Sequence, residues 1–284
     1  MTLSVLVPSS LVREAEDKRE ATRKLGYVAR AATVFRADRL CVFPDREGEG
    51  RWGGGFVDTV LRYAATPPYL RKEAWGVRDE LEYVGVLPPL RALTETGSDP
   101  EGSELRQGIV TEVGPDGRVR VNCGLQHPIS LFAPDGVEVG ERVTIRVSSR
   151  EPVRARIVDG DPPGFVVERV DLPEALGREG AGVRIATSRH GQELSVSRLA
   201  TLAGRADRDM TVAFGSPERG LPEILDVSVE DVTAHRPRWD GAENVEPGPA
   251  GFDLWLNTIP RQGSGVVRTE EAMFASLASL TLTE

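Results

Sequence analysis

Three short segments rich in glycine, proline and hydrogen-bonding side chains follow directly on apolar runs: TSRHG at Thr187–Gly191, FGSPERGL at Phe214–Leu221 and LNTIPRQG at Leu256–Gly263. The runs before them, Val183–Ala186, Met210–Phe214 and Phe252–Leu256, have the length and composition of buried strands. In a parallel α/β sheet the ligand crevice opens at the carboxyl ends of the strands, so three such loops can line one pocket. Gly215 and Gly220 let backbone amides approach a ligand closely, and they equally suit ordinary turns; the residues alone leave both roles open. The sequence is read as holding neither the Walker pattern nor the G-x-G-x-x-G fingerprint, which argues against a P-loop nucleotidase or a Rossmann dinucleotide enzyme. The histidines are His127, His190 and His235, so histidine-centred acid–base chemistry has little material. His190, inside the first loop, is its one candidate. Cys41 and Cys123 sit in apolar, strand-like contexts with no partner at metal spacing; no metal site is expected, and both read as small buried residues.

Loops of this kind need strands and helices to hold them. Leu3–Val7 is a short apolar run ended by Pro8 and two serines, which predicts a buried strand. Across Glu14–Asp38 the residues Ala21, Leu25, Val28, Ala32 and Phe35 recur at helical spacing as one stripe, with Arg19, Arg23 and Arg30 on the opposite face. Leu40–Phe43 reads as a second strand and Gly54–Ala65 as a second helix, stopped by Pro67 and Pro68. Later in the chain come a strand over Phe165–Val170, the three strands already named, and helices over Val196–Ala203 and Thr269–Leu280. Alternating strand and helix predicts an α/β fold, a mostly parallel sheet with helices on both faces.

A different pattern interrupts it. Thr94–Gly102 is polar and rich in turn formers, as a linker is, and hydrophobicity then alternates with period two. Gly108–Val113 and Arg118–Val121 flank the turn Gly114-Pro115-Asp116-Gly117, a β-hairpin signature. Ile129–Phe132, Val143–Val147 and Val153–Val158 complete the strand complement of a small all-β, OB-like barrel, and a second linker covers Asp159–Gly164. The expected organisation is one α/β domain in two parts, residues 1–98 and 161–284, with the barrel at 99–160 inserted between them. Arg118, Arg120, Arg142, Arg146, Arg154 and Arg156 alternate with Val119, Val121, Val143, Ile145, Val147 and Ile157, and so should face away from the barrel core. Such a face is either solvated or a nucleic-acid-binding surface.

The formal net charge is −9, which on its own opposes a phosphate-bearing partner. Lysine occurs only at Lys18, Lys24 and Lys72, so arginine carries nearly all the positive charge against an excess of carboxylates, a bias that suits a salt-adapted or GC-rich source. The distribution of charge therefore matters more than its sum. No apolar run approaches the roughly 20 residues of a membrane span, and Met1–Val7 is too short for a signal-peptide core; a cytoplasmic protein is expected.

FGSPERGLPEIL at Phe214–Leu225 and LNTIPRQGSGVVRTEEA at Leu256–Ala272 resemble the two C-terminal cofactor-loop motifs of the SPOUT (α/β-knot) methyltransferases, in the archaeal and eukaryotic branch of RNA uridine N3 methyltransferases. YVARAATVFRADRLCVF at Tyr27–Phe43 is similar to the first motif of the superfamily. The resemblance spans nearly the whole chain and includes the branch's inserted OB-like domain. It implies a trefoil knot, a bent S-adenosylmethionine held largely by backbone groups of the knotted loops, a homodimer that joins one pocket to residues of the other subunit, and RNA, ribosomal in this branch, as substrate. Carried over by position, it implies cofactor contacts at Thr187, Gly215, Gly220, Leu221, Leu256, Ile259, Pro260 and Gly263, with Asn257 and Gln262 shaping the loop. Arg268 and Thr269 open the last helix, where a ligand-facing role competes with a helix-capping one. Met273, Phe274, Leu277 and Leu280 supply that helix's apolar face, as dimer contact or as core.

The same resemblance marks Arg30 for catalysis. Methyl transfer to a uridine ring nitrogen requires loss of its proton and stabilisation of the developing imide anion. A fixed guanidinium supplies the second need and can grip a phosphate, but it stays charged and so is a poor proton acceptor. The acceptor is left open between water and a carboxylate such as Glu270 or Glu271, and Arg30 has the alternative reading of a solvent-facing helix residue. Two departures bear on substrate choice: Pro217 stands where many relatives outside this branch have glutamate, and LPPLRAL at Leu87–Leu93 lacks the branch's aspartate and paired histidines. Two functions compete, an S-adenosylmethionine-dependent RNA methyltransferase and a non-catalytic RNA-binding or ribosome-assembly factor that retains the fold.

Overall fold

A computed structural model describes residues 2–92, 104–133, 136–159, 164–203, 209–235 and 247–282. Its strands are β1 (Leu3–Pro8), β2 (Arg39–Phe43), β3 (Glu104–Val113), β4 (Arg118–Asn122), β5 (Ile129–Phe132), β6 (Arg142–Arg150), β7 (Val153–Ile157), β8 (Val166–Arg169), β9 (Val183–Glu193), β10 (Met210–Ala213) and β11 (Leu254–Asn257). Its α-helices are α1 (Lys18–Val34), α2 (Gly54–Ala65), α3 (Arg71–Trp75), α4 (Leu172–Gly177), α5 (Val196–Ala203), α6 (Leu221–Ile224), α7 (Val229–Ala234) and α8 (Thr269–Leu280).

Six strands pair in parallel in the order β11–β9–β10–β1–β2–β8. Every residue of β1 and β10 is buried, because helices cover both faces of a parallel sheet and both phases of the strand must then be apolar. Val5 and Val7 pack in one cluster with Leu25, Val57 and Leu277 of α1, α2 and α8. Leu6 packs in another with Leu172, Leu221 and Val232 of α4, α6 and α7. The stripe residues Ala21, Leu25, Val28 and Ala32 are fully buried, as their spacing requires. The helix starts later than the stripe suggests: Asp17 is the N-cap, its carboxylate accepts from the Glu20 amide at 2.7 Å, and the residues before it form turns.

TSRHG is not a turn after a strand. β9 runs on through it to Glu193, and the ladder to β11 jumps: Trp255 faces Ala186 while the next residue, Leu256, faces Gln192. Thr187–Gly191 are thereby pushed out of the ladder as a bulge, the device by which sheets re-aim side chains at their rims. The segment leaves the sheet where a turn was expected to, by a different geometry.

β3–β7 form a separate antiparallel sheet in the order β5–β4–β3–β6–β7, and β5 also approaches β7, so it curls towards a barrel. It lies in sequence between β2 and β8, which are neighbours in the parallel sheet. The linker at Thr94–Gly102, most of the one at Asp159–Gly164 and both expected domain boundaries fall outside the described residues. Val119, Val121, Val143, Ile145 and Val147 form the small core. Arg118, Arg120, Arg154 and Arg156 are exposed and Arg146 is half-buried. Arg142 is exposed as well, but its tip turns to the parallel-sheet domain and donates from Nη2 to Thr66 Oγ1 at 2.9 Å. Cys41 and Cys123 are buried free thiols, and burial pushes the Cys41 thiol up to about 11. Among the described residues no helix is long and apolar enough to cross a membrane.

Candidate active site

A cavity of about 370 Å³ opens where β9, β10 and β11 end, within the size range of small-molecule sites. The bulge contributes Thr187, Ser188, Arg189 and His190; the loop after β10 contributes Gly215, Ser216, Glu218, Arg219 and Gly220; the loop after β11 contributes Asn257, Thr258, Ile259 and Gln262; and Thr269 comes from the start of α8. Three loops expected to share a pocket do share one.

Hydrogen bonds between the loops fix its shape. Thr187 Oγ1 donates to the Ala213 carbonyl at 2.9 Å, tying the bulge to the end of β10. Asn257 Oδ1 accepts from the Ile259 amide at 3.1 Å, and its Nδ2 donates to the Arg189 carbonyl at 3.3 Å, so one side chain both folds its own loop and holds the bulge. Gln262 Nε2 donates to the Ser264 carbonyl at 2.9 Å. Of the two roles open to Thr269, cap or ligand-facing, the cap falls to Arg268, which occupies the N-cap position, and the buried Thr269 hydroxyl donates to the Gly215 carbonyl at 2.8 Å.

The two glycines of the middle loop have different reasons to be glycine. A Cβ on Gly215 would stand 2.9 Å from the Leu221 amide nitrogen and 3.1 Å from Gly220 Cα, so the loop closes on itself only because no side chain is there. Gly220 has φ −72°, and a Cβ there would make an ordinary contact, so no positive φ requires glycine at this position. The positive φ of this loop falls on Glu218, at 62°. That strained turn is held by Arg219, whose Nε lies 3.2 Å from both oxygens of Asp45, just beyond β2. Asp45 is buried and also accepts from Ser10 Oγ at 2.5 Å and the Gly48 amide at 3.2 Å, linking the ends of β1 and β2 to the pocket loop.

Sequence reading missed Asp45 and left Arg219 without a role; the available signal was an acid directly after a buried strand, at the edge where ligands bind. It also passed over Gly48–Gly53, GEGRWG, which has G-x-G-x-x-G spacing between β2 and α2. The Glu49 carboxylate packs against Gly53 and Gly54 at the start of α2, where that fingerprint would place a phosphate, and the segment contributes nothing to the cavity wall.

Several expected residues stand off the wall. Leu221 and Leu256 are fully buried in the core clusters, Pro260 is half-buried and Gly263 is exposed. Arg268 is exposed, and its amide donates to Glu271 Oε2 at 2.9 Å, which occupies that carboxylate. Glu270 is buried beside Lys24 and Glu14; burial first, then the charges of Glu14 and Glu271, raise its pKa against the lowering effect of Lys24, and Oε2 has no hydrogen-bond partner. Arg30 lies outside the cavity of its own chain and donates from Nη1 to the carbonyls of Leu90 at 2.6 Å and Pro89 at 3.2 Å. His190 is on the wall; Arg189 Nε donates to its Nε2 at 3.1 Å, and burial together with the Arg189 charge lowers its pKa, so the neutral imidazole prevails near neutrality.

The arrangement suits a small ligand with mixed polarity. The Gly215 cradle admits close backbone approach, the threonine and asparagine side chains fix the walls, and Glu218 adds a carboxylate, that of Glu223 being paired with Arg219 at 2.6 Å. Comparison with known proteins agrees with that chemistry. Residues 2–280 match a family model described as "Putative RNA methyltransferase". An uncharacterised protein of Halobacterium salinarum is 68% identical over the full length of both chains. The 28S rRNA (uridine-N(3))-methyltransferases of Homo sapiens and Mus musculus are 30% and 29% identical over 98% of this chain, covering 77% and 76% of theirs.

Proposed function

The chain belongs to the RNA methyltransferase family, and from that premise we propose that it transfers a methyl group from S-adenosylmethionine to a base of ribosomal RNA, with uridine N3 the candidate atom. The observation that carries the reading is the convergence of three loops and the head of α8 on one cavity at the carboxyl edge of the parallel sheet. Bound there, S-adenosylmethionine supplies an electrophilic methyl group on a sulfonium. Gly215 and Gly220 receive its close approach, Thr187, Asn257, Ile259, Gln262 and Thr269 line and shape the recess, and Glu218 suits its positive charge. Leu221, Leu256, Pro260 and Gly263 then contribute through the backbone.

The substrate nitrogen must lose a proton. Glu271 is engaged at the helix start and Glu270 is buried against Lys24, so His190, neutral and on the wall, is the acceptor this reading favours, the substrate N–H displacing Arg189 Nε from its Nε2. Arg30 acts across a homodimer formed through α1 and α8, where Tyr27 and Val34 leave exposed apolar surface on α1. In this reading the parallel sheet is a SPOUT domain with a trefoil knot, in two parts at 1–98 and 161–284. The antiparallel sheet is its inserted OB-like domain at 99–160, and it offers Arg118, Arg120, Arg142, Arg146, Arg154 and Arg156 to RNA in the cytoplasm. Arg268, whose chain neighbours Val267 and Thr269 line the pocket, is in this reading a second positive group.

Calorimetric titration with S-adenosylmethionine, followed by methyl transfer to ribosomal RNA from a strain lacking the protein, tests the proposal. Saturable binding and one methylated position are expected. Absence of binding at millimolar donor leaves the non-catalytic RNA-binding factor. Arg30→Ala should cut the rate about 100- to 1000-fold with donor affinity unchanged, and full activity would remove Arg30 from the mechanism.

A further inference from the structure

A second cavity, about 910 Å³, lies between the two sheets, lined by residues of α2, α3, β3, β6, β7 and β8. Three guanidinium groups face it. Arg62 is paired with Asp58 at 2.8 Å, outside the lining. Arg78 donates to the Trp75 carbonyl and lies over the Trp75 ring, 5.4 Å from its centre. Arg142 bonds the neutral Thr66 hydroxyl and, among the described residues, has no carboxylate in ion-pair range. Burial first, and the like charge of Arg62 second, push its pKa down. Two carboxylates share the wall, Glu141 and Asp159, and Glu141 already accepts from the Glu138 amide at 2.9 Å.

One further group is unsatisfied. Gln107, on β3, is 7% exposed and lines the cavity, and its Oε1 has no hydrogen-bond partner. A buried amide oxygen left this way carries the desolvation penalty of an unmade hydrogen bond. Guanidinium groups crowded in a partly desolvated cleft also repel. A ligand that joins an anion to a hydrogen-bond donor relieves both penalties at once, and a nucleotide within an RNA strand is such a ligand.

We propose that this cleft is a second RNA site, separate from the pocket at the ends of β9–β11, in which a phosphodiester lies between Arg78 and Arg142 and the adjoining base donates to Gln107 Oε1. Trp75 forms the apolar wall beside that base. The proposal rests on the RNA methyltransferase reading for its class of ligand. It moves Arg142 from the outer face of the antiparallel sheet to the junction between sheets, so that RNA held there spans both parts of the molecule.

Fluorescence anisotropy with a fluorescein-labelled oligouridylate of about 12 nucleotides, measured across a KCl series on the full-length protein, tests it. Arg78→Gln and Arg142→Gln should each weaken binding about 5- to 10-fold and lower the slope of log K against log salt by about 0.7. Arg142→Lys should restore most of the slope, and Gln107→Leu should weaken binding with the slope unchanged. Because Arg142 also bridges the two sheets, Arg78→Gln is the variant free of a docking role. Unchanged affinity and slope in both glutamine variants overturn the proposal, as does equal competition by polyglutamate of matched charge, which would mark an acidic-protein surface. S-adenosylmethionine affinity is measured on the same samples. Its absence from the wild type counts against the methyltransferase reading, whereas its retention alongside unaltered RNA binding counts against this cleft alone.

Discussion

Replacing Asp45 by asparagine tests whether the pocket is built from outside its own loops. The Asp45 side chain is 2% exposed and that of Arg219 is 12% exposed, so the pair is shielded from water. Asparagine keeps the size and one acceptor but removes the charge that Arg219 faces at 3.2 Å. Truncating one partner of a buried pair costs roughly 3–5 kcal/mol. Arg219 retains Glu223 at 2.6 Å, although that carboxylate is 58% exposed, so the lower end applies, about 3 kcal/mol. At about 2–4 °C per kcal/mol for a chain of this size, the melting temperature should fall by roughly 6–12 °C. Arg219 lies beside the strained Glu218 turn, so donor affinity should also fall, by about tenfold if some 1.4 kcal/mol of the loss is expressed in the loop. Thermal melts with and without S-adenosylmethionine, paired with calorimetric titration, read both quantities. A variant that melts within 2 °C of wild type and binds the donor normally would refute the claim that Asp45 anchors the loop.

Gly215→Ala should abolish donor binding even if the protein folds, because its Cβ meets backbone at 2.9 Å, whereas Gly220→Ala should fold normally and weaken the donor only by occupying ligand space; parallel titrations separate the two. Thr269→Val removes a hydroxyl and leaves the Gly215 carbonyl without that partner, at a cost of about 1–3 kcal/mol, and Thr269→Ser should recover most of the loss in a denaturant midpoint. Glu270 has a raised pKa, so the folded state holds its proton more tightly than the unfolded one; stability therefore falls as pH rises from the unfolded value near 4.5 through the folded pKa. Glu270→Gln should flatten that part of the stability–pH curve, and an unaltered slope would show Glu270 to be solvated. His190→Gln should slow methyl transfer and remove the acidic limb of its pH profile without changing donor affinity, which a pH series of initial rates checks.

Some of these residues were visible in the sequence and others were not, for physical reasons. Strands buried on both faces declare themselves as apolar runs, and the α1 stripe at Ala21, Leu25, Val28 and Ala32 is periodic, so the parallel sheet and its long helices could be read from local pattern. α4, α6 and α7 could not: each is a turn or two long, shorter than a moment needs to emerge, and each is fixed by tertiary packing on the second core cluster. The three-loop pocket followed from the expectation of a parallel sheet and a rule about carboxyl ends. Its fastening did not, since Asp45 and Arg219 are 174 positions apart and nothing local marks either as a partner. The bulge at Thr187–Gly191 was likewise hidden, because whether glycine after a strand makes a turn or a bulge is decided by the neighbouring strand, here β11.

A net charge of −9 and an RNA partner are compatible once the carboxylates are located. Many are already spent on internal cations: Glu14 and Glu20 on Lys24, Glu168 on Arg178, Asp253 on Arg184, and Asp45, Glu47 and Glu223 together on Arg219. Arg78, Arg142, Arg154 and Arg156 have no carboxylate in ion-pair range among the described residues, and all four belong to the antiparallel sheet or to the cleft beneath it. Within a Debye length, about 8 Å at physiological ionic strength, local charge outweighs the sum over the molecule. The acidic remainder repels RNA from the rest of the surface. A strand that approaches is therefore accepted at the unpaired arginines or nowhere, and total charge acts here as a term in specificity against misplaced binding.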